Sequence, residues 1–271
     1  MSFWNLCLKK TLSACKQKKL FFLARILENE NQNANIKMGK SHSKIFKFRR
    51  GKMSKIFPFT LYRYRSSNNF ANYIEDYLQG KIHFSPWREV NDPMEGYFIY
   101  YPQYDSIANL IEEKGKFKIC CFSKSYSNYL LWSYYAQGHS GVCIEYEVKE
   151  LPQNVIKKCV KYRKSIPTFD SAKTDKEQAI DCLTQKLTFW RKEEEIRLLL
   201  YDSPDPDVKI GEMKSITIGR RFSDLMQDED HRRICSQLRY FKRNNPNFPI
   251  FKIMNINPDG TMERARTEMF G

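Results

Sequence analysis

The sequence predicts an α+β fold, a mixed and mostly antiparallel sheet with flanking helices. Three observations carry this. Short stretches of two-residue alternation recur along the chain, segments with three-to-four spacing stand between them, and the two kinds lack the steady rhythm of a doubly wound sheet. With 271 residues, 41% apolar and 14% aromatic, the chain has enough apolar surface for a substantial core.

The elements follow in order. "FTLYRYR" (59–65) alternates, placing Tyr62 and Tyr64 on one face and Leu61, Arg63 and Arg65 on the other. A helix is predicted over 68–79, where Phe70, Tyr73, Ile74, Tyr77 and Leu78 share a stripe, Ser66 and Ser67 offer a cap and Gly80 a stop. "KIHFS" (81–85) reads as a second strand; beside the first, it would turn Arg63, His83 and Ser85 into one cleft. A helix near 104–114, a strand over 116–123 and an aromatic helix over 128–138 come next. "GVCIEYEV" (141–148) alternates with Val142, Ile144, Tyr146 and Val148 inward, and 157–163 is its expected hairpin partner. The remaining expectations are a helix over 172–190, strands at 193–201 and 214–219, a helix over 222–240, and a strand at 248–256 before the Asn-Pro-Asp-Gly turn at 257–260. The domain is drawn at 56–260, with 261–271 as a tail.

Charge divides the chain unevenly. Residues 1–55 hold fourteen Lys/Arg against Glu28 and Glu30, so +12 of the +15 net charge lies there and the body is nearly neutral. This segment reads as a basic, flexible leader, able to touch nucleic acid or an anionic surface by Coulomb attraction. Met38 and Met53 are alternative starts to Met1. No apolar run approaches the ~20 residues of a membrane-spanning helix, and the N-terminus lacks the apolar centre of a secretory signal. A cytoplasmic protein is expected. The eight cysteines show no C-x-x-C and no zinc spacing, so free thiols and no metal are expected.

Chemistry-bearing residues concentrate in two places. In "WRKEEEIRLLLY" (190–201), an extended backbone would put Glu193, Glu195, Arg197 and Tyr201 on one face, with the two carboxylates roughly 7 Å apart. One could steady a developing positive charge while the other handles a proton. A helix would point them about 200° apart, and a solvated charge cluster is the plainer alternative. In "IHFSPWREVNDPMEGYF" (82–98), Asn91, Asp92 and Pro93 make a rigid turn. That turn is either purely structural or holds Asp92 and Glu95 at a pocket rim. His139, in a turn between helix and strand, either caps the helix or meets a ligand. No Walker sequence, Gly-rich phosphate loop, G-x-S-x-G or H-E-x-x-H occurs.

Six ordered blocks resemble a bacterial family known only as domain of unknown function 2971. They are "LYRYRS" (61–66), "IHFSPWREVNDPMEG" (82–96), "CCFSKS" (120–125), "LLWSYYAQGHSGVCIEY" (130–146), "WRKEEEIR" (190–197) and "ITIG" (216–219). Tyr134 departs from the family's histidine. The layout is in turn similar to the ADP-ribosyltransferase superfamily, whose sheet is split around a cleft. That resemblance implies NAD as co-substrate, an NAD-consuming transferase or glycohydrolase, and a toxin or phage-defence setting. Arg63 would hold the diphosphate, Ser85 and Tyr64 would lie near nicotinamide, and Trp132 or Tyr135 would stack on a ring. Glu195 would steady an oxocarbenium-like state and Glu193 would activate the acceptor or water. Two other readings stand beside it: a non-catalytic nucleotide- or protein-binding module, and a nucleic-acid-associated protein acting through the leader.

Overall fold

The computed structural model describes residues 58–100, 107–225 and 229–267. The basic leader and its expected surface contacts lie outside these residues. The alternating run becomes β1 (Phe59–Arg65), followed by α1 (Ser67–Asn72) and α2 (Ile74–Leu78). Ser66 caps α1 by accepting from the Asn69 N–H. The single helix expected over 68–79 is broken at Tyr73 (φ −121°), in a stretch where Asn68, Asn69 and Asn72 support helix poorly. Gly80 then ends the second helix at φ +74°. A Cβ there would meet the Gly211 carbonyl oxygen at 1.8 Å, so the position needs glycine for both its conformation and its space.

The strand expected over 81–85 is two. β2 (Lys81–His83) pairs with β10 (Asp207–Lys209) in a small separate sheet, and β3 (Ser85–Pro86) joins the main one. The break falls at Phe84, whose N–H donates to the Pro206 carbonyl. His83 is therefore exposed and bonded to Asp207 at 2.8 Å, away from any cleft.

The next elements are α3 (Ile107–Gly115), β4 (Phe117–Ser123), α4 (Tyr129–Tyr135), β5 (Val142–Val148), β6 (Val155–Cys159) and β7 (Lys161–Arg163). Residues 157–163 do not form the expected hairpin with β5. Both edges of β5 are already taken by β1 and β11 (Glu212–Ile218), so β6 pairs with β9 (Glu195–Tyr201) instead. The helix expected over 172–190 stops early: α5 (Asp175–Cys182), started by a Thr174–Glu177 capping box, gives way to β8 (Gln185–Leu187) and a 3₁₀ turn over Thr188–Glu193. There β8 pairs in parallel with β7, a tertiary contact that overrides weak propensity.

The chain finishes with α6 (Glu229–Asn244), β12 (Ile250–Ile256) and β13 (Met262–Arg266). The last corrects the reading of 261–271 as a tail: the predicted turn at 257–260 closes a hairpin, and β13 pairs with β12 over five residues.

The main sheet runs β13-β12-β11-β5-β1-β4-β9-β6, with β3 also on β4; β11–β12 is its parallel pair and the other pairings are antiparallel. This is the expected mixed, mostly antiparallel sheet. One face buries the main core, where Leu61, Ile144, Leu198 and Ile216 meet Phe70 and Ile74 of the first two helices and Ile234 and Leu238 of α6. The other face is covered in halves. Residues of α3 and α5 cover Ile119 and Leu199 on β4 and β9, whereas α4 covers Tyr64 and Cys143 on β1 and β5. The boundary between those halves is where the sheet opens. Strand β1 meets β4 only at Tyr62↔Ser123, and β3 meets it at Ser85↔Ile119 and Pro86↔Lys118. Between these contacts, Cys120, Cys121 and Phe122 have no strand partner on that edge among the described residues, and a cleft results.

Gly80→Ala should lower unfolding stability on the order of 1–3 kcal/mol, read as a drop in urea midpoint at unchanged m-value.

Candidate functional site

The cleft encloses ≈ 210 Å³ and is lined from both sides of the split: Tyr62, Arg63, Tyr64 and Arg65 from β1, Ser85 from β3, Cys120–Ser123 from β4, and Glu195 and Arg197 from β9. Because it opens between strands, it exposes both faces of β4 at once. Arg63 stands on the main-core face, 5.6 Å from the Phe122 ring. Glu195 stands on the opposite face, in the same register as Arg197 and Leu199. Without the split they would be separated by the sheet.

The floor is a buried ion-pair network centred on Arg197, which is 0% exposed. Its Nε donates to Glu195 Oε1 at 2.7 Å and its Nη2 to Glu195 Oε2 at 3.2 Å. Nη2 also reaches Glu95 Oε2 at 2.7 Å, Nη1 pairs with Glu95 Oε1, and Nη1 donates to the Leu183 carbonyl at 2.6 Å. All five guanidinium N–H groups thus have acceptors. Lys186 completes the network, its Nζ lying 2.7 Å from both Glu193 and Glu195. Glu193 accepts a further bond from Tyr135 Oη at 2.9 Å.

The two glutamates do converge, but not through strand alternation. Glu193 ends the 3₁₀ turn and Glu195 begins β9; between them Glu194 adopts a left-handed conformation (φ 46°, ψ 46°), uncommon for a non-glycine residue. That twist turns both neighbours onto one ammonium.

Electrostatics separate the groups. Burial raises the Glu195 carboxyl, but Arg197 and then Lys186 outweigh it and hold the pKa at about 2. Burial, reinforced by Glu193, pushes the Tyr135 hydroxyl up to about 12. Burial and then Glu195 raise the Cys121 thiol far above its ordinary value, which disfavours the thiolate.

Of the residues singled out in the sequence, Arg63, Ser85, Tyr64, Tyr135, Asn91, Glu193 and Glu195 line the cleft. Trp132 does not. It is 0% exposed, donates its indole N–H to the Tyr126 carbonyl and packs edge-on against Tyr64, which leaves no face for a ligand. His139 is buried against Trp132, its Nε2 beside Ser133 Oγ at 3.3 Å, on the far side of that packing. Asp92 is a turn residue: its Oδ1 accepts the Met94 N–H and its carbonyl the Glu95 N–H. The turn thereby aims Glu95 at Arg197, beneath the cleft rather than at its rim. Lys186 and Arg65 were not singled out as site residues. Lys186 was hidden by the helical reading of its segment, and only the excess of acid at 193–195 hinted at a missing cation.

Among the described residues, no group of three His, Cys, Asp or Glu is placed to hold a metal ion, and no helix is long and apolar enough to cross a membrane. The described cysteines are all free.

These features define an α+β domain whose split sheet holds a charged cleft. A family model described as "Protein of unknown function (DUF2971)" matches residues 131–198, the stretch from α4 through the acidic turn into β9. It supports the family resemblance over that stretch, and the blocks before residue 131 lie outside the match. No curated protein and no solved structure matches the chain.

Arg197→Leu would strand the buried Glu95 carboxylate and leave Glu195 to Lys186 alone, and should cost about 3–5 kcal/mol in urea unfolding. The Glu195 pair also has an acid signature. Its folded pKa of about 2 lies below the ordinary 4.5, so its stabilisation is complete above about pH 5 and disappears as pH falls toward 2. Glu195→Gln should flatten the acid limb of stability against pH; an unchanged slope would show that the pair does not set it.

Proposed function

We propose that the cleft binds NAD or a related phosphate-bearing nucleotide and breaks its nicotinamide–ribose bond, passing ADP-ribose to an acceptor or to water. The observation that carries this is Arg63. It is buried, its Nε and Nη1 have no hydrogen-bond partner, and it shares one cavity with Glu193 and Glu195. An unmet buried guanidinium is costly, and a phosphate oxygen is a strong partner for it.

The chemistry follows from the charges. Glu95, Glu193 and Glu195 against Lys186 and Arg197 leave one net negative charge on the acidic wall, facing Arg63 and Arg65 across the cavity. As the ribose–nitrogen bond breaks, its electron pair leaves with nicotinamide and positive charge develops on the ribose; fixed negative charge stabilises that state. Glu195, held ionised, suits this electrostatic role better than proton transfer. Glu193 would take the proton from the attacking hydroxyl or water on Oε2 as Lys186, which donates to that oxygen, shifts to Glu195, while Tyr135 donates to Oε1. The enclosed volume is below the ~300–1,000 Å³ of typical small-molecule sites and suits the reacting end of a dinucleotide.

A second reading, a nucleotide-binding module without catalysis, is favoured by one observation. Both Glu195 oxygens are already engaged by Arg197 and Lys186.

Incubating the full chain with NAD should release nicotinamide, measured chromatographically, and Glu195→Gln should lower the rate by at least about 100-fold. Binding without release, equally tight in both proteins, would establish the second reading.

A further inference from the structure

We infer that Arg65 is a second anion anchor beside Arg63, and that the pair makes the cleft selective for two adjacent anionic groups, a diphosphate over a monophosphate. This deepens the nucleotide reading above and rests on it for the class of ligand.

The alternation of β1 puts Leu61, Arg63 and Arg65 on one face, with successive members about 6.6 Å apart along the strand. Leu61 is sealed in the core. The next two positions carry guanidinium groups into the cavity. Arg65 is half-buried and donates only to neutral oxygens: Nη1 to the Tyr64 carbonyl at 3.2 Å and Nε to the Tyr77 hydroxyl at 3.4 Å. Among the described residues, no carboxylate pairs with either arginine. The acids of the facing wall are not free to do so, since Lys186 and Arg197 hold Glu193 and Glu195, and Glu89 sits exposed at the mouth.

Two like charges on one strand face repel each other. Burial, and then the Arg63 charge, push the Arg65 guanidinium below its ordinary pKa. A single phosphate would satisfy the orphan donors of Arg63 but leave Arg65 against neutral oxygens. A diphosphate presents an oxygen set to each fork and neutralises both charges.

The test is calorimetric titration of the full chain with AMP, ADP, inorganic phosphate and inorganic diphosphate at one ionic strength. ADP and diphosphate should bind at least about tenfold more tightly than AMP and phosphate, as one charge-assisted contact allows. Arg65→Gln should shrink that ratio to about twofold, and Arg63→Gln should weaken all four ligands. Arg65→Lys, which retains the charge and loses the fork, should give an intermediate ratio and serves if the glutamine variant melts early. Equal affinities for ADP and AMP, a preference that survives both Arg65 variants, or no binding of any of the four overturns the inference. NAD cleavage is scored separately. Cleavage without an ADP preference removes this inference alone, and an ADP preference without cleavage removes only the catalytic reading.

Discussion

A guanidinium that no water reaches must be matched by acceptors on every side, and Arg197 imposes that requirement on four separate segments. It draws in the 91–96 turn through Glu95, the end of α5 through the Leu183 carbonyl, and the start of β9 through Glu195. Glu195 then engages Lys186 and so fixes β8. Removing water from these charges is expensive, and only a complete set of partners offsets it. The acidic turn, the loop before it and the short β8 are therefore one electrostatic unit, although they are scattered over about a hundred residues of sequence.

The second organising feature is geometric. A continuous sheet keeps its two faces apart, so residues of opposite parity on neighbouring strands cannot share a ligand. Here β1 and β4 touch at a single register position and then diverge, and the gap joins the faces. The cationic wall of β1 and the acidic wall of β9 come into one cavity because strand pairing stops. The bound pole on one side is satisfied internally and the other is left open, which gives the cleft a direction.

Legibility in the sequence tracks the range of the forces involved. Strands β1, β4, β5, β9 and β12 and the turn after β12 were readable because alternation and turn chemistry are local. The same holds for the Gly80 stop. Partnership was not readable: the partner of β6 depends on β5 having both edges occupied, which no local pattern encodes. Lys186 was missed because its segment has helical composition, whereas pairing with the distant β7 makes it a strand and contact with Glu193 and Glu195 fixes its ammonium. The convergence of those glutamates was expected for the wrong reason; the left-handed Glu194 achieves it, not a continuous strand. Trp132 and His139 stand beside residues that line the cleft, yet they pack against each other. Sequence neighbourhood does not show which side of a helix faces inward. Six ordered blocks suggested a family, and the matching model covers residues 131–198, the part of the chain that holds the acidic turn.

The ends of the main sheet are built differently from its middle. On β6 the outer residues include Lys157 and Lys158, both exposed, with the Lys157 ammonium 3.4 Å from the Phe59 ring centre; on β13 Glu263 and Arg266 face solvent. A strand docking onto either border would have to strip water from these charges before gaining a ladder of hydrogen bonds. Among the described residues, these charges thus make either border a poor seat for another copy's strand.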